Sequence, residues 1–234
     1  RDKLVTGVQT CALPIFAVAL VFTALDEPGL KPPTVSNAEH LGLAYLAGAL
    51  RARGVTAEII NAELEGLPSA AVIDRVLAMP ADIVGFSPVS LSMTATLAVA
   101  AEIKRRRPGV RVVLGGHLAT MCADAILQEQ PVVDMVLRGE AEESLPRLVE
   151  ALAGRGDLAA VPGLVHRRDG RIVHAGPGPA MVPLDGVLPP ARDGLAYLRE
   201  RGALTGARIL ASRGCQHDCS YCTTPGFYGR KVRF

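Results

Sequence analysis

The chain has 234 residues, a formal net charge of +2, 49% hydrophobic and only 4% aromatic residues. That length suffices for one full core and part of a second. Near-neutral charge lacks the basic footprint of a nucleic-acid binder. The five cysteines are clustered rather than spread as a disulfide framework, which suits a reducing cytoplasm.

Residues Val5 to Ile15 read Val-Thr-Gly-Val-Gln-Thr-Cys-Ala-Leu-Pro-Ile, with no initiator Met before them. They resemble the conceptual translation of a sequencing adapter, so residues 1–15 are set aside from the fold and Cys11 is given no role. The apolar run from Ala12 to Leu25 is too short to span a bilayer as a helix. No small-residue cleavage pattern follows it before Asp26 and Glu27, so it does not read as a signal peptide. A buried strand over Phe16–Leu25 accounts for it.

From there to about Gly154 apolar runs alternate with helical patterns. The runs Phe16–Leu25, Val55–Asn61, Ala81–Ser87, Val110–Leu114 and Val132–Leu137 are continuous rather than alternating, as parallel strands covered on both faces require. The first helix is predicted from a capping box, Ser36-x-x-Glu39, followed by Leu41, Ala44, Leu46, Ala47 and Leu50 on one stripe and a stop at Arg53-Gly54. Further helices are expected over Ser69–Met79, Leu91–Arg106, Ala119–Gln128 and Glu142–Leu152. Cys122 on the fourth reads as a small buried hydrophobe. The basic run Lys104 to Arg107 reads as a solvated helix end. Five strand–helix units make an α/β fold, a doubly wound five-stranded parallel sheet in the order 2-1-3-4-5.

Ligands of such sheets bind beyond the carboxyl ends of the strands. Strand one runs into the proline-stiffened loop Asp26 to Pro33. Strand three ends at Ser87, strand four at Gly115-Gly116-His117, and strand five at Arg138-Gly139-Glu140-Ala141-Glu142. Paired glycines let a ligand approach the backbone closely. Gly139-Glu140 reads equally as a turn and a helix-start carboxylate.

Beyond Gly154 the composition changes. Val161–Val165 and Arg171–His174, joined by Arg167-Arg168-Asp169-Gly170, predict a β-hairpin. His166 and His174 on it have no ligand geometry. The proline- and glycine-rich stretch Gly176 to Pro190 predicts a linker. A short helix over Asp193–Arg201 and a strand over Ala207–Ala211 follow. The domain reading is therefore 16–154 for the sheet domain, 155–205 for hairpin and linker, and 206–234 for the start of a further domain.

Directly after the last strand comes Arg-Gly-Cys-Gln-His-Asp-Cys-Ser-Tyr-Cys, which places Cys215, Cys219 and Cys222 at C-x3-C-x2-C spacing. Three thiolates on one short loop can hold three corners of a cubane iron–sulfur cluster and leave the fourth iron open to a substrate or cofactor. Two other readings exist. A structural zinc would need His217 as fourth ligand, inside the longer gap. A redox pair at Cys219 and Cys222 would leave Cys215 idle. Ligand count and spacing favour the cluster.

The Cys215-x-x-x-Cys219-x-Tyr221-Cys222 segment resembles the signature of the radical S-adenosylmethionine (SAM) superfamily. The resemblance implies a 4Fe–4S cluster on the three cysteines, SAM chelated at the open iron, and Tyr221 beside the adenine. Only about the last thirty residues carry this match. The four strand ends, followed by the cysteine loop, resemble the cobalamin-binding domain that precedes the radical SAM barrel in one large subgroup. That likeness implies cobalamin contacts at Ser87, Gly115, Gly116 and Gly139, with Glu140 a further candidate. Leu188-Pro189-Pro190-Ala191-Arg192 resembles a segment of the same proteins. One departure matters: cobalamin domains with a histidine lower ligand carry Asp-x-His-x-x-Gly after strand one, and here Asp26-Glu27-Pro28-Gly29 has no histidine. Histidine-ligated cobalamin is not expected, and His117 reads as a polar loop residue.

The function implied is that of a cytoplasmic, cobalamin-dependent radical SAM enzyme. It would form a bond at an unactivated carbon, most often by methyl transfer, through a 5′-deoxyadenosyl radical. A small, natural-product-like substrate and an external electron donor would be its partners, with no nucleic acid and no membrane span. Substrate-binding and most SAM-binding parts of the barrel would lie beyond Phe234, which would leave the chain as it stands inactive. The alternative is a non-catalytic cobalamin- or nucleotide-binding module with structural zinc at the cysteine loop.

Overall fold

Alternation along the strands explains the architecture of this computed structural model, which describes residues 16–24, 39–179, 181 and 183–234. In the first strand, β1 (Ala17–Phe22), Val18 and Leu20 point into one apolar cluster and Ala19 and Val21 into another. Both clusters are buried, so neither set of alternate residues can be polar. The same holds for β3 (Ile83–Phe86) and β4 (Arg111–Leu114), whose pleats also feed both clusters. Two further strands, β2 (Thr56–Asn61) and β5 (Met135–Leu137), complete a parallel set.

One face is covered by α1 (Leu41–Arg51) and α7 (Ser144–Leu152). The other is covered by α3 (Ser69–Ala78), α4 (Met93–Arg106) and α6 (Ala123–Glu129). A single turn, α2 (Ala62–Glu65), follows β2, and α5 (Gly116–Met121) follows β4. The strand order is β2-β1-β3-β4-β5-β6-β7. The predicted order of the first five strands is thus observed, and the sheet has seven strands rather than five. The two extra strands are the expected hairpin, β6 (Leu164–Arg168) and β7 (Arg171–His174). It does not stand apart from the sheet. Antiparallel β6 pairs with β5, Met135 opposite His166 and Leu137 opposite Leu164. The pairing buries Leu164 and Val165, and it satisfies an edge that short β5 would otherwise leave open.

Three local expectations are corrected. The helix α1 begins at Leu41, and its cap is the His40 ring, whose Nδ1 accepts the Leu43 N–H at 3.2 Å. Glu39 is drawn instead into an ion pair with Arg192, while Ser36 and the Asp26–Pro33 loop lie outside the described residues, as do residues 1–15 with Cys11. The helix expected over Ala119–Gln128 is split, and Cys122 sits in the non-helical junction between α5 and α6, exposed. The basic run is not merely solvated. Lys104 pairs with Asp134 at 2.6 Å, and Arg107 donates to the carbonyls of Met79 at 2.7 Å and Leu77 at 2.5 Å, closing the last turn of α3.

The linker crosses α1 closely. Ala191 N–H donates to the Ala44 carbonyl at 2.8 Å, and a side chain at Gly48 would collide with the Pro189 carbonyl. It leads to α8 (Asp193–Glu200), tied back to α1 by a bidentate Arg51–Asp193 pair. The strand expected over Ala207–Ala211 is not formed. Backbone there finds no strand partner among the described residues, and Ile209 is 78% exposed. A strand exists only with a neighbour to pair with. The last element is α9 (Thr224–Tyr228).

Candidate functional site

The carboxyl ends of β1, β3, β4 and β5 open into a cavity of about 680 Å³. Its floor is Leu20, Gly85, Val113 and Leu137, its rim Ser87, Gly115, Gly116, His117, Gly139 and Glu140. All five residues expected to contact cobalamin therefore line one space. So do Thr223, Phe227 and Tyr228, which follow the cysteine loop in sequence.

The three rim glycines stand in different surroundings. Gly116 opens α5 at φ +85°, and a Cβ there would stand 2.8 Å from Ser87 Oγ. Only glycine meets both demands. Gly115 is extended (φ −145°), with its N–H bonded to the Phe86 carbonyl at 2.9 Å, and a Cβ there would meet only the Leu137 carbonyl at 3.7 Å, so neither its backbone nor its surroundings demand glycine. Gly139 has φ +72° and donates its N–H to Thr120 Oγ1 at 2.9 Å. A Cβ on it would strike Pro179, not the cavity. The turn reading of that glycine is the one its geometry supports.

Glu140 is buried and ion-paired at the cavity rim. Arg213 Nη1 lies 3.4 Å from its Oε2, and Arg233 binds both of its oxygens, Nη1 to Oε2 at 3.1 Å. Glu142 accepts from Arg213 Nη2 at 2.6 Å. Burial alone would lower the Arg213 pKa, but Glu142 and Glu140 outweigh it and raise it. Its guanidinium also lies over the Tyr45 ring, 5.2 Å from the centroid. Arg213 Nε is buried on this wall without a hydrogen-bond partner among the described residues.

His117 stacks on Phe227, with centroids 4.0 Å apart and planes at 15°. Tyr228 meets both rings edge-on. The packing strips water from His117 and lowers its pKa. His40, also on the wall, is held neutral: burial pushes its pKa down to about 4, and Arg208 adds to the shift. Burial likewise raises the Tyr228 hydroxyl above its usual value.

The cysteine loop projects from this wall. Cys215 is half-buried, while Cys219 and Cys222 are exposed. Tyr221, the expected SAM contact, is 88% exposed. The Cys215 N–H donates to the Gly229 carbonyl at 3.3 Å, and the Cys222 N–H to the Cys219 carbonyl at 3.0 Å. Hydrogen bonds from the Thr224 hydroxyl and amide hold the Cys222 thiol below its usual pKa. Among the described residues no three His, Cys, Asp or Glu side chains converge as metal ligands. Such convergence commonly comes with the metal itself. His217, the fourth ligand of the zinc reading, is exposed. His174 pairs with Asp124 at 2.8 Å and His166 bonds its neighbour's carbonyl, so neither joins the site.

The cavity fits a large amide-bearing cofactor on three counts: its volume, the glycine-lined rim, and the unspent Arg213 donor. The loop offers three thiols and no other soft ligand, a donor set suited to an iron–sulfur cluster. Sequence reading missed His40, Arg213, Phe227, Tyr228 and Arg233. The only sequence-level hint was charge: two carboxylates after β5, and an arginine on each side of the cysteine loop.

Fold and site together define a doubly wound cofactor-binding domain whose open edge is faced by a three-cysteine loop. Residues 34–149 match the B12 binding domain family. The chain carries that domain and is similar to cobalamin-binding radical SAM proteins. It is 35% identical over 219 residues to the hopanoid C-3 methylase of Methylococcus capsulatus, across 91% of this chain and 41% of that one. It is 30% identical over 197 residues to the anaerobic magnesium-protoporphyrin IX monomethyl ester cyclase of a Synechocystis species, across 81% of this chain and 39% of that one. The fold matches the cobalamin-dependent S-adenosylmethionine radical enzyme OxsB with aqua-cobalamin and S-adenosylmethionine bound, at TM-score 0.77 and 19% identity, over 94% of this chain and 30% of that one. The chain thus spans about two-fifths of the curated relatives it matches. No described helix is long and apolar enough to cross a membrane.

Proposed function

We propose that the chain is part of a cobalamin-dependent radical SAM enzyme that forms a bond at an unactivated carbon of a small molecule, methyl transfer being the favoured reaction. The observation that carries this reading is the shared cavity: the glycine rim of the sheet and the residues that follow the cysteine loop line one space. Methyl transfer needs the methyl carrier and the radical source to serve one substrate, and a single shared cavity supports that. Relatives named as a methylase and a cyclase support the reaction class.

In this reading Cys215, Cys219 and Cys222 hold a 4Fe–4S cluster, Tyr221 lies by SAM, and Ser87, Gly115 and Gly116 cradle the corrin. Gly139 and Glu140 shape the wall behind it. When bound, the cofactors supply radical formation and methyl transfer, chemistry that protein side chains do not provide. The chain's own part is placement and exclusion of water. Apolar Leu20, Val113 and Leu137 dry the floor, and Phe227 and Tyr228 close one side. Residues 16–154 would be the cobalamin domain, 155–205 its sheet extension and linker, and 206–234 the beginning of the radical SAM domain.

Anaerobic reconstitution with iron and sulfide tests this. About four irons per chain with the brown absorbance of a cubane cluster are expected for the wild type, and most of this is expected to be lost in Cys219→Ala. One tightly held zinc per chain and no iron uptake would overturn the reading.

A further inference from the structure

We propose that Arg213 and Arg233 are positioning residues: with Glu140 and Glu142 they form a buried clasp that sets where the cysteine loop sits relative to the cavity. The proposal deepens the reading above and rests on it for its functional meaning. Its structural content stands alone.

The cysteine loop is closed at its stems. Arg213 and Arg233 form an antiparallel bridge, Arg213 N–H to the Arg233 carbonyl at 2.9 Å and the reverse bond at 2.8 Å. Gly214, at φ +97°, lets the first stem lie flat on Lys231 and Val232, where any side chain would collide. Zipping fixes the loop's shape but not its place. Apolar packing adds one anchor, the stack of Phe227 on His117, while Tyr221 and Phe234 stay 88% and 84% exposed.

The two stem arginines then reach into one carboxylate pair at the end of β5. Arg213 takes Glu142 at 2.6 Å and Glu140 at 3.4 Å, and Arg233 holds Glu140 through both oxygens. The Arg213 and Glu140 side chains are only 3% and 1% exposed. Charges so buried are poorly screened, and they demand their partners in one arrangement. The planar fork of arginine makes that arrangement directional, which a lysine cannot copy. Glu140 adjoins Gly139 on the cavity rim, and Arg213 lies two residues before Cys215. The clasp is therefore a rigid path from the cavity wall to the first thiol.

Thiol alkylation of the unliganded chain reads this directly, with peptide mass spectrometry following Cys215, Cys219, Cys222 and, as an internal reference, Cys122. Isosteric Glu142→Gln and charge-keeping Arg213→Lys are each expected to speed Cys215 labelling roughly tenfold, as local opening would. Cys122 and the thermal midpoint of the sheet should stay near wild type. In the double variant Glu142→Gln with Arg213→Lys the Cys215 rate is expected to match that of a single variant rather than the product of the two effects, which two independent packing defects would not do. Cys215 rates within about twofold of wild type in both single variants would overturn the clasp. So would an equal rise at Cys122, because the effect would then be general unfolding. Hydroxocobalamin binding by the wild type is measured separately. Its failure would remove the cofactor reading and leave the labelling result intact.

Discussion

The imidazole of His117 lies flat on the ring of Phe227, centroids 4.0 Å apart, although 110 positions separate them in sequence. One residue stands on the glycine-rich end of β4. The other stands in the helix that follows the last cysteine. The stack ties the two halves of the site at a second point, apart from the buried arginines.

The stack should register as coupling. A double-mutant cycle of His117→Ala and Phe227→Ala in urea denaturation is expected to give an interaction energy of about 1 kcal/mol. Strictly additive effects would mean that the rings meet without energetic consequence.

Acid should weaken the fold through His40. Its pKa falls from 6.5 to about 4 on folding, so the unfolded chain takes up the proton first as pH drops. Stability from neutral His40 is therefore complete above about pH 6.5 and erodes as pH falls toward 4, by at most about 3 kcal/mol. In His40→Asn the amide can still cap α1 but does not titrate. Urea midpoints at pH 7 and pH 4.5 should converge for that variant and diverge for the wild type. Equal acid sensitivity in both proteins would assign the effect to other groups.

Gly116 should resist any side chain. With φ at +85° and Ser87 Oγ in the way, Gly116→Ala is expected to cost about 1–3 kcal/mol. Gly116→Val should in addition weaken hydroxocobalamin binding in equilibrium dialysis while leaving iron uptake at the cysteine loop unchanged. Full cobalamin affinity in the valine variant would place the corrin elsewhere.

Cobalt should lack a protein nitrogen. The loop after β1 carries no Asp-x-His-x-x-Gly. The paramagnetic resonance spectrum of the Co(II) form is expected to show no superhyperfine splitting from a protein nitrogen, and His117→Ala should leave it unaltered. A splitting that vanished in His117→Ala would reverse this assignment.

Sequence periodicity was enough for the sheet and its strand order up to β5, because a strand buried on both faces must be apolar at every position. Spacing was enough to single out the three cysteines, because ligands on one short loop carry their geometry in their separation. Nothing local could reveal that the hairpin would pair with β5, since Leu164 and Val165 are apolar in any hairpin and only the open sheet edge decides their partner. The Ala207–Ala211 run shows the converse: an apolar, β-prone segment without a neighbour is not a strand. The pairing of Glu140 and Glu142 with Arg213 and Arg233, and the stacking of His117 on Phe227, were left to the tertiary structure. Long charged and aromatic side chains read as surface when taken one at a time. Their burial depends on a partner some 70 to 110 residues away, and only the folded chain brings that partner within reach.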